Sequence, residues 1–315
     1  MSAFVEQFLQ AASTGILVGC IYGLMCVGLA FIFGIMRVIN FAQGDFMMVG
    51  MYLAIFIVTN LFTAAVFGPA APFVAAVATM PVMFFAGHAL HRLLIARTTG
   101  MRKASEGESH QAQLVLTLGV ALILQNGALI LMGSAPVSTI TPLSSAAWQI
   151  PLLYDDFAAV FLNKARTIGA AIALVIAFTF FWMMRSTRLG KTLRGAADNP
   201  EAAYYNGIDV IRAHRLAFSI GTAVAGVAGG LIVLYYPVQP FVGIDFIIVM
   251  YAGVVLGGMG SISGAFSGGM AIALVQQLAT LVLPLQLQNA AIFMVFLLLL
   301  FFRPEGFFGR RVERA

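Results

Sequence analysis

The chain has 315 residues, of which 61% are hydrophobic and only 9% carry a charged side chain. A water-soluble domain carries about 25% charged residues, so this composition excludes a soluble globule and indicates a polytopic membrane protein. The formal net charge of +5 does not indicate a nucleic-acid partner, because the basic residues are confined to a few segments between apolar runs and to the C-terminus.

Nine apolar runs predict helices that cross a membrane. They extend over 8–36, 46–67, 70–94, 112–132, 167–184, 216–236, 244–256, 265–283 and 288–302. Since a helix of about 20 residues crosses the hydrocarbon core, we expect one transmembrane domain over 1–315 with eight or nine crossings. The runs 244–256 and 288–302 are short for a full crossing and are expected to be short, extended into their flanks, or re-entrant. The expected fold class is an all-α polytopic membrane protein.

The distribution of Lys and Arg predicts the orientation of the chain. If the N-terminus lies outside and every run crosses, 15 of the 17 basic residues lie inside, and only Lys164 and Arg166 lie outside. Cytoplasmic segments carry the excess of basic residues, so we expect an outside N-terminus and a cytoplasmic C-terminus. The interval 133–166 then becomes an outer loop. It is either an ordered cap on which a partner rests or an unengaged surface loop.

The interval 185–215 is the longest strongly polar stretch, with six of the 17 basic and three of the 12 acidic residues. Within it, Asn199, Pro200 and Glu201 predict the start of a helix. Asn is a preferred N-cap, Pro suits the first helical position, and an early acid complements the free N–H groups. A short helix follows over 201–206, and Gly207 ends it. On the cytoplasmic side this helix is either a solvated connection or a docking element for a soluble partner.

A polar segment between the first two apolar runs is a candidate for a pathway or a gate. Its candidate residues are Asn40, Phe41, Gln43, Gly44 and Asp45. A charge in mid-bilayer costs about 2.5–3.5 kcal/mol, so Asp45 is expected near an interface, facing a cavity, or paired. Arg37 is the expected partner. The alternative interpretation of this segment is a capped interfacial connection.

A glycine-rich segment near the C-terminal end of the chain is the second candidate. It contains Gly257, Gly258, Gly260, Ser261 and Gly264. Small residues four apart allow helix backbones to approach closely in lipid, and the same spacing occurs at Gly15, Gly19 and Gly23. The segment is either such a packing element or a flexible turn that exposes its backbone near the pathway or the inner face.

The sequence lacks the motifs of several functional classes. Residues 189–192 end like a phosphate-binding loop, but Arg185 stands where the first glycine is required, so ATP binding by that motif is not expected. The histidines have no metal-site spacing, and no Ser/His/Asp set can be placed at one membrane depth, which disfavours an intramembrane enzyme. Apart from Asp45, the runs lack the buried charges of ion-coupled pumps. A self-contained carrier or channel that uses Asp45 and the glycine-rich turns remains an alternative.

Three parts of the sequence resemble one family. They are 28–42 (GLAFIFGIMRVINFA), 188–203 (RLGKTLRGAADNPEAA) and 257–266 (GGMGSISGAF). The chain resembles the permease subunits of branched-chain amino-acid ABC importers, of the LivH type, over essentially its whole length. Where that family usually has His-Gly-Glu, this chain has Gln43-Gly44-Asp45. The difference keeps a carboxylate on a shorter side chain and removes the titratable imidazole.

The resemblance implies an importer in the bacterial inner membrane that works by alternating access. Its other parts would be a second, LivM-like permease, two cytoplasmic ATPase subunits and a periplasmic binding protein. No cofactor would bind this chain, because ATP and Mg²⁺ would bind the ATPases. The implied ATPase contact consists of Arg194, Asp198, Asn199, Pro200, Glu201, Ala202, Ala203 and Gly207. Branched-chain or other small amino acids are the implied substrates, with urea, short amides, and aromatic or dicarboxylic acids as alternatives.

Overall fold

The computed structural model describes residues 2–60, 66–99, 106–139, 141–151, 159–284, 287–303 and 306–308. Its helices, in chain order, are α1 (Ser2–Met36), α2 (Gln43–Asn60), α3 (Ala71–Leu90), α4 (Ala96–Thr99), α5 (Glu106–Met132), α6 (Lys164–Ser186), α7 (Arg188–Asp198), α8 (Pro200–Tyr205), α9 (Val210–Ile232), α10 (Val242–Gly257), α11 (Ile262–Ala279) and α12 (Gln288–Phe302). A 3₁₀ turn, Gly68–Ala70, precedes α3, and a π-helical turn, His91–Ile95, follows it.

Each of the nine predicted apolar runs coincides with a helix over most of its described length. Within the described ranges, six helical stretches are long and apolar enough to cross a membrane: Phe4–Met36, Gly68–Ile95, Gln111–Met132, Lys164–Ser186, Val210–Ile232 and Ile262–Ala279. The shorter apolar helices α10 and α12 are the two runs that were predicted to be short. These helices confirm the all-α polytopic class, whereas the number of full crossings remains a prediction.

Helices α1 and α9 lie at the centre of the bundle and are its most buried spans. Gly15, Gly19 and Gly23 of α1 face α11, where a Cβ atom on Gly19 would lie 3.1 Å from the Cα atom of Met270. Gly50 of α2 faces the backbone of Gly226 in α9 in the same way. The predicted close packing at small residues is therefore confirmed, since a larger side chain at these positions would separate the helices.

A β-hairpin in the interval 133–166 was not predicted from the sequence. Strands β1 (Ala147–Pro151) and β2 (Ala159–Asn163) pair antiparallel between α5 and α6, with Trp148 opposite Leu162. The side-chain amide of Gln10 in α1 both donates to the carbonyl oxygen and accepts from the N–H of Phe161, each over 2.9 Å. This pair of bonds attaches the hairpin to the N-terminal part of α1.

Candidate functional site

The polar interval 185–215 is mostly helical, and helix α7 within it was missed by the sequence analysis. The side chain of Thr187 caps α7 by accepting from the N–H of Gly190 over 3.1 Å, directly after α6 ends. A Cβ atom on Gly190 would overlap the carbonyl oxygen of Met184. Gly190 thus allows α7 to pack closely against the end of the helix that precedes it.

Helix α7 is amphipathic and is attached to three long helices. Leu193 and Ala196 on its apolar side are buried in one cluster with side chains from α1, α6 and α9, including Phe31 and Phe180. Arg194 and the other basic residues of α7 lie on its exposed side. A displacement of α7 would therefore be transmitted to α1, α6 and α9 through packed apolar contacts.

Helix α8 has the start and the end that the sequence predicts. Asn199 caps it, because the Asn199 Oδ1 atom accepts from the N–H of Ala202 over 2.9 Å. Gly207 ends it in the left-handed region at φ +79°. The N–H of Gly207 bonds to the carbonyl of Tyr204, and the N–H of Ile208 bonds to that of Ala203, both over 2.9 Å. This paired arrangement is the Schellman motif, which fixes the C-terminal end of a helix.

Helix α8 projects away from the bundle. Among its six residues only Ala203 is buried, while Glu201 is exposed and the Tyr204 and Tyr205 side chains are 70% and 86% exposed. The predicted coupling residues thus lie together on the continuous α7–α8 segment. The two tyrosines were not among the predicted coupling residues, although adjacent aromatic residues in a strongly polar interval are a readable signal.

Asn40 and Gln43 take part in a buried polar network at the junction of α1 and α2. The Asn40 Nδ2 atom donates to Gln43 Oε1 over 3.0 Å, and Asn40 Oδ1 accepts from the N–H of Ala42 over 3.2 Å. The Gln43 Nε2 atom donates to the carbonyl oxygen of Gly221 in α9 over 3.1 Å. Both side chains are at most 1% exposed, so the network joins the α1–α2 connection to the central helix α9.

The expected pairing of Asp45 with Arg37 is wrong. Helix α2 begins at Gln43, so that Asp45 lies in its first turn and its Oδ1 atom accepts from Gln125 Nε2 of α5 over 3.0 Å. Arg37 remains exposed in the α1–α2 connection, at φ 53°. The spacing of Gln113, Thr117 and Gln125 places these polar residues on one face of α5. That polar face within an apolar run is the signal that the sequence analysis missed.

The first group of pathway candidates lies inside the protein rather than on an open surface. Asn40, Gln43, Gly44 and Asp45 are all buried. The small cavity beside Asn40 has no room for a water molecule. Phe41 alone is exposed, at 36%, and its ring centre lies 5.8 Å from that of Tyr251 in α10. In this conformation the segment therefore joins helices and does not line an open path.

The glycine-rich candidates form a fixed turn between α10 and α11. Gly257 and Gly264 are in backbone contact, Gly258 and Gly260 have φ of 99° and 94°, and Ser261 caps α11 by accepting from the N–H of Gly264 over 3.1 Å. Backbone N–H groups of 307–308 donate to the carbonyl oxygens of 256–257 over 2.9 and 3.1 Å. In the described chain, no hydrogen bond joins this turn to the Asp45 network.

No metal centre is formed by the part of the chain that the structure describes, since no group of three or more His, Cys, Asp or Glu side chains is placed to hold an ion. The site that remains is the exposed, capped helix α8 on its packed support α7. Its chemistry is that of a contact surface, with one carboxylate and two aromatic rings directed away from the bundle.

Comparison with known proteins places the chain among transport permeases. A family model described as "Branched-chain amino acid transport system / permease component" matches residues 11–302. The high-affinity branched-chain amino acid transport system permease protein LivH of Escherichia coli K12 is 28% identical over 321 residues, which cover 100% of both chains. BraD of Pseudomonas aeruginosa, also described as such a permease, is 26% identical over 99% of both chains. No solved structure matches the chain at a significant level.

A third relative covers a smaller part of the chain. A probable branched-chain amino acid transport permease protein LivH of Methanocaldococcus jannaschii is 27% identical over 257 residues, which cover 82% of this chain and 76% of that protein. The matched region of the family model contains α7, α8 and the Asp45 network, so the candidate site lies within the part of the chain that the family model covers.

Proposed function

This chain belongs to the family of branched-chain amino acid transport permeases, the permease components of ABC importers, and we propose that it carries branched-chain amino acids inward across the inner membrane. In the proposed complex it pairs with a second, homologous permease and two cytoplasmic ATPases. A periplasmic binding protein delivers the substrate to the outer face. Because that protein selects the substrate, the path between the two permeases needs only weak selectivity.

The observation that carries this proposal is the construction of α8. A helix of six residues is marginal by itself, yet this one has a side-chain cap at one end and a Schellman motif at the other. It rests on α7, whose apolar side is buried against α1, α6 and α9. A rigid, exposed helix on a packed support suits the transfer of a partner's movement to the membrane domain.

The proposed mechanism follows from these contacts. When ATP closes the ATPase dimer, the ATPases carry α8 and α7 with them. The cluster around Leu193 passes this displacement to α1, α6 and α9, since packed interiors shift as units rather than deform continuously. The spans then reorient and close the path on one side while opening it on the other. Buried Asp45, bonded to Gln125, supports this account over an ion-coupled carrier, in which an acid would face water.

Replacement of Glu201 tests the proposed contact. Glu201 is exposed in the first turn of α8, so Glu201→Arg changes the contact surface without disturbing the core. We expect this variant to reach the membrane in normal amounts, to recover less ATPase on purification of the complex, and to lose ATP-driven uptake of L-leucine. Glu201→Gln, which keeps the size of the side chain, is the matched control. Full uptake by Glu201→Arg would contradict the proposed contact.

A further inference from the structure

A cavity of about 520 Å³ lies at the end of the bundle that the predicted orientation places outside. It is formed by the N-terminal part of α1, strand β2, the start of α6 and the end of α11. Its volume falls in the range of small-molecule sites, about 300–1,000 Å³. The two hydrogen bonds between Gln10 and Phe161 hold its wall together, because both residues line the cavity.

The cavity contains one group of each charge. Glu6 of α1 and Arg166 of α6 both line it. They do not form an ion pair with each other, since the one ion pair among the described residues joins Arg212 and Asp209. Glu6 is half-buried and takes part in no side-chain hydrogen bond within the described chain. The lining thus holds a free carboxylate and a free guanidinium whose charges cancel.

The Arg166 side chain packs against an aromatic ring, and its guanidinium N–H donors have no hydrogen-bond partner among the described residues. Its guanidinium lies over the ring of Tyr235, with the Cζ atom 5.3 Å from the ring centre. Its Nε atom is buried and has no hydrogen-bond partner among the residues that the structure describes. Because that atom is enclosed, a ligand in the cavity would reach the terminal amino groups of the guanidinium instead. The guanidinium packs on the aromatic ring, and its terminal donors are able to bind a carboxylate.

The rest of the lining combines polar and apolar side chains. Thr14 and Thr280 contribute hydroxyl groups, and Ala11, Phe161 and Leu281 contribute apolar surface. A few placed polar groups beside apolar surface is the usual composition of a site for a small organic ligand. The ligand that uses all of these features has one carboxylate, one ammonium and an apolar side chain.

We propose that this outer cavity, defined by Glu6 and Arg166, is a vestibule that receives a zwitterionic amino acid before translocation. Arg166 binds the α-carboxylate, Glu6 binds the α-ammonium, and Ala11, Phe161 and Leu281 contact the apolar side chain. The proposal rests on the proposed import of branched-chain amino acids and adds a site in this chain at which the substrate is recognised. A site that binds both ends of the zwitterion rejects molecules that carry only one of the charges.

Competition binding to the whole complex tests the vestibule. The complex of both permeases and both ATPases is placed in lipid nanodiscs without the binding protein. Radiolabelled L-leucine is then displaced by L-leucinamide, which lacks the carboxylate, or by 4-methylpentanoate, which lacks the ammonium. For the wild-type complex we expect each analogue to bind at least about tenfold more weakly than leucine, because each leaves one charged group unpaired.

Two substitutions should change the two preferences separately. Arg166→Gln should weaken leucine binding about tenfold and abolish the preference for leucine over leucinamide. Glu6→Gln should abolish the preference over 4-methylpentanoate and leave the preference over leucinamide intact. Arg166→Lys keeps the charge and should keep the carboxylate preference. Lys164→Gln is the matched control, since Lys164 is basic and close in sequence but lies over the Trp148 ring and not in the cavity lining.

The results separate the vestibule from the proposed function. ATP-driven uptake of leucine by the wild-type complex with its binding protein is measured in parallel. If that uptake is present but the wild-type complex shows no saturable leucine binding, or the analogue preferences do not change in the two variants, the vestibule is overturned and the proposed import stands. If the two variants bind the binding protein more weakly but bind leucine normally, the vestibule is also overturned, because Glu6 and Arg166 then belong to a protein contact. Absence of wild-type leucine uptake overturns the proposed substrate itself.

Discussion

Gln125 of α5 donates a hydrogen bond from Nε2 to the Oδ1 atom of Asp45 in α2 over 3.0 Å, and both side chains are buried. The residue expected to neutralise Asp45, Arg37, is exposed instead. An acid that is enclosed in this way joins two helices and is not placed to exchange ions with water. In this conformation Asp45 therefore has a structural role and does not act as an ion-coupling group.

Removal of the donor to Asp45 should destabilise the protein. Gln125→Met leaves a buried carboxylate oxygen without its side-chain partner, and such a loss costs about 1–3 kcal/mol, more when the group is charged. We expect a lower Tm of the purified complex. Asn126→Met is the control, since Asn126 is exposed and, among the described residues, its side chain bonds only to the carbonyl of Leu122 in its own helix. Equal Tm values for the two variants would refute the structural role assigned to Gln125.

Truncation of the two exposed tyrosines should weaken the contact with the ATPase and leave the fold unchanged. Tyr204 and Tyr205 are 70% and 86% exposed, so their replacement by Ala removes little packing. If they are interface anchors, each truncation costs about 2 kcal/mol or more of binding free energy. We expect the double variant to keep its Tm and to lose ATPase on purification.

Ile211→Ala is the comparison for this experiment. Ile211 is also apolar and is 55% exposed, but it lies in α9 outside the short docking helix. The Ile211→Ala complex should retain its ATPase. A double tyrosine variant that retains its ATPase as fully as Ile211→Ala would show that the rings are not anchors.

Gly207 should tolerate only residues that accept a left-handed backbone. Its φ is +79°, and no atom of the described residues lies within 4 Å of a Cβ placed there. The choice of residue is therefore restricted by the backbone conformation and not by steric crowding. Gly207→Val should disrupt the Schellman motif and reduce ATP-driven uptake strongly, because β-branched residues avoid this region. Gly207→Asn should retain far more uptake, since Asn visits it readily. Equal uptake by the two variants would exclude a requirement for this helix end.

The contact between α10 and α11 should not accept a methyl group. A Cβ atom on Gly257 would overlap the carbonyl group of Gly264, whereas one on Gly119 in α5 would meet no atom within 4 Å. Gly257→Ala should therefore lower the Tm of the complex or prevent its recovery. Gly119→Ala should leave the Tm unchanged or raise it, because Ala favours a helix by about 1 kcal/mol over Gly in water. Thermal unfolding of both variants decides the matter, and an unaffected Gly257→Ala protein would contradict the packing interpretation.

The parts of this structure that depend on local sequence could be predicted. The apolar runs identify the long helices by composition, and Asn199, Pro200 and Gly207 fix both ends of α8 through backbone chemistry. The part played by Asp45 could not be predicted from its neighbours, because its partner Gln125 is 80 residues away in sequence. The same holds for the cavity, since Glu6 and Arg166 line it from α1 and α6, which are far apart in sequence.

Helix α7 is an intermediate case. Its cap, Thr187, and its apolar residues Leu193 and Ala196 are readable in the sequence. The many charges between them favoured a solvated connection, since the amphipathic pattern is only about three turns long. Burial of Leu193 against α1 and α6 is a tertiary contact that the local sequence does not reveal. That contact stabilises α7 and connects it to the bundle.

The most direct measurement of the central claim is uptake of radiolabelled L-leucine into liposomes that contain either this chain alone or the full complex, with the binding protein outside. We expect uptake only by the full complex, only with ATP supplied on the ATPase side, and only with α8 intact, as tested by Glu201→Arg. Robust uptake of leucine by this chain alone, without ATP, would contradict it.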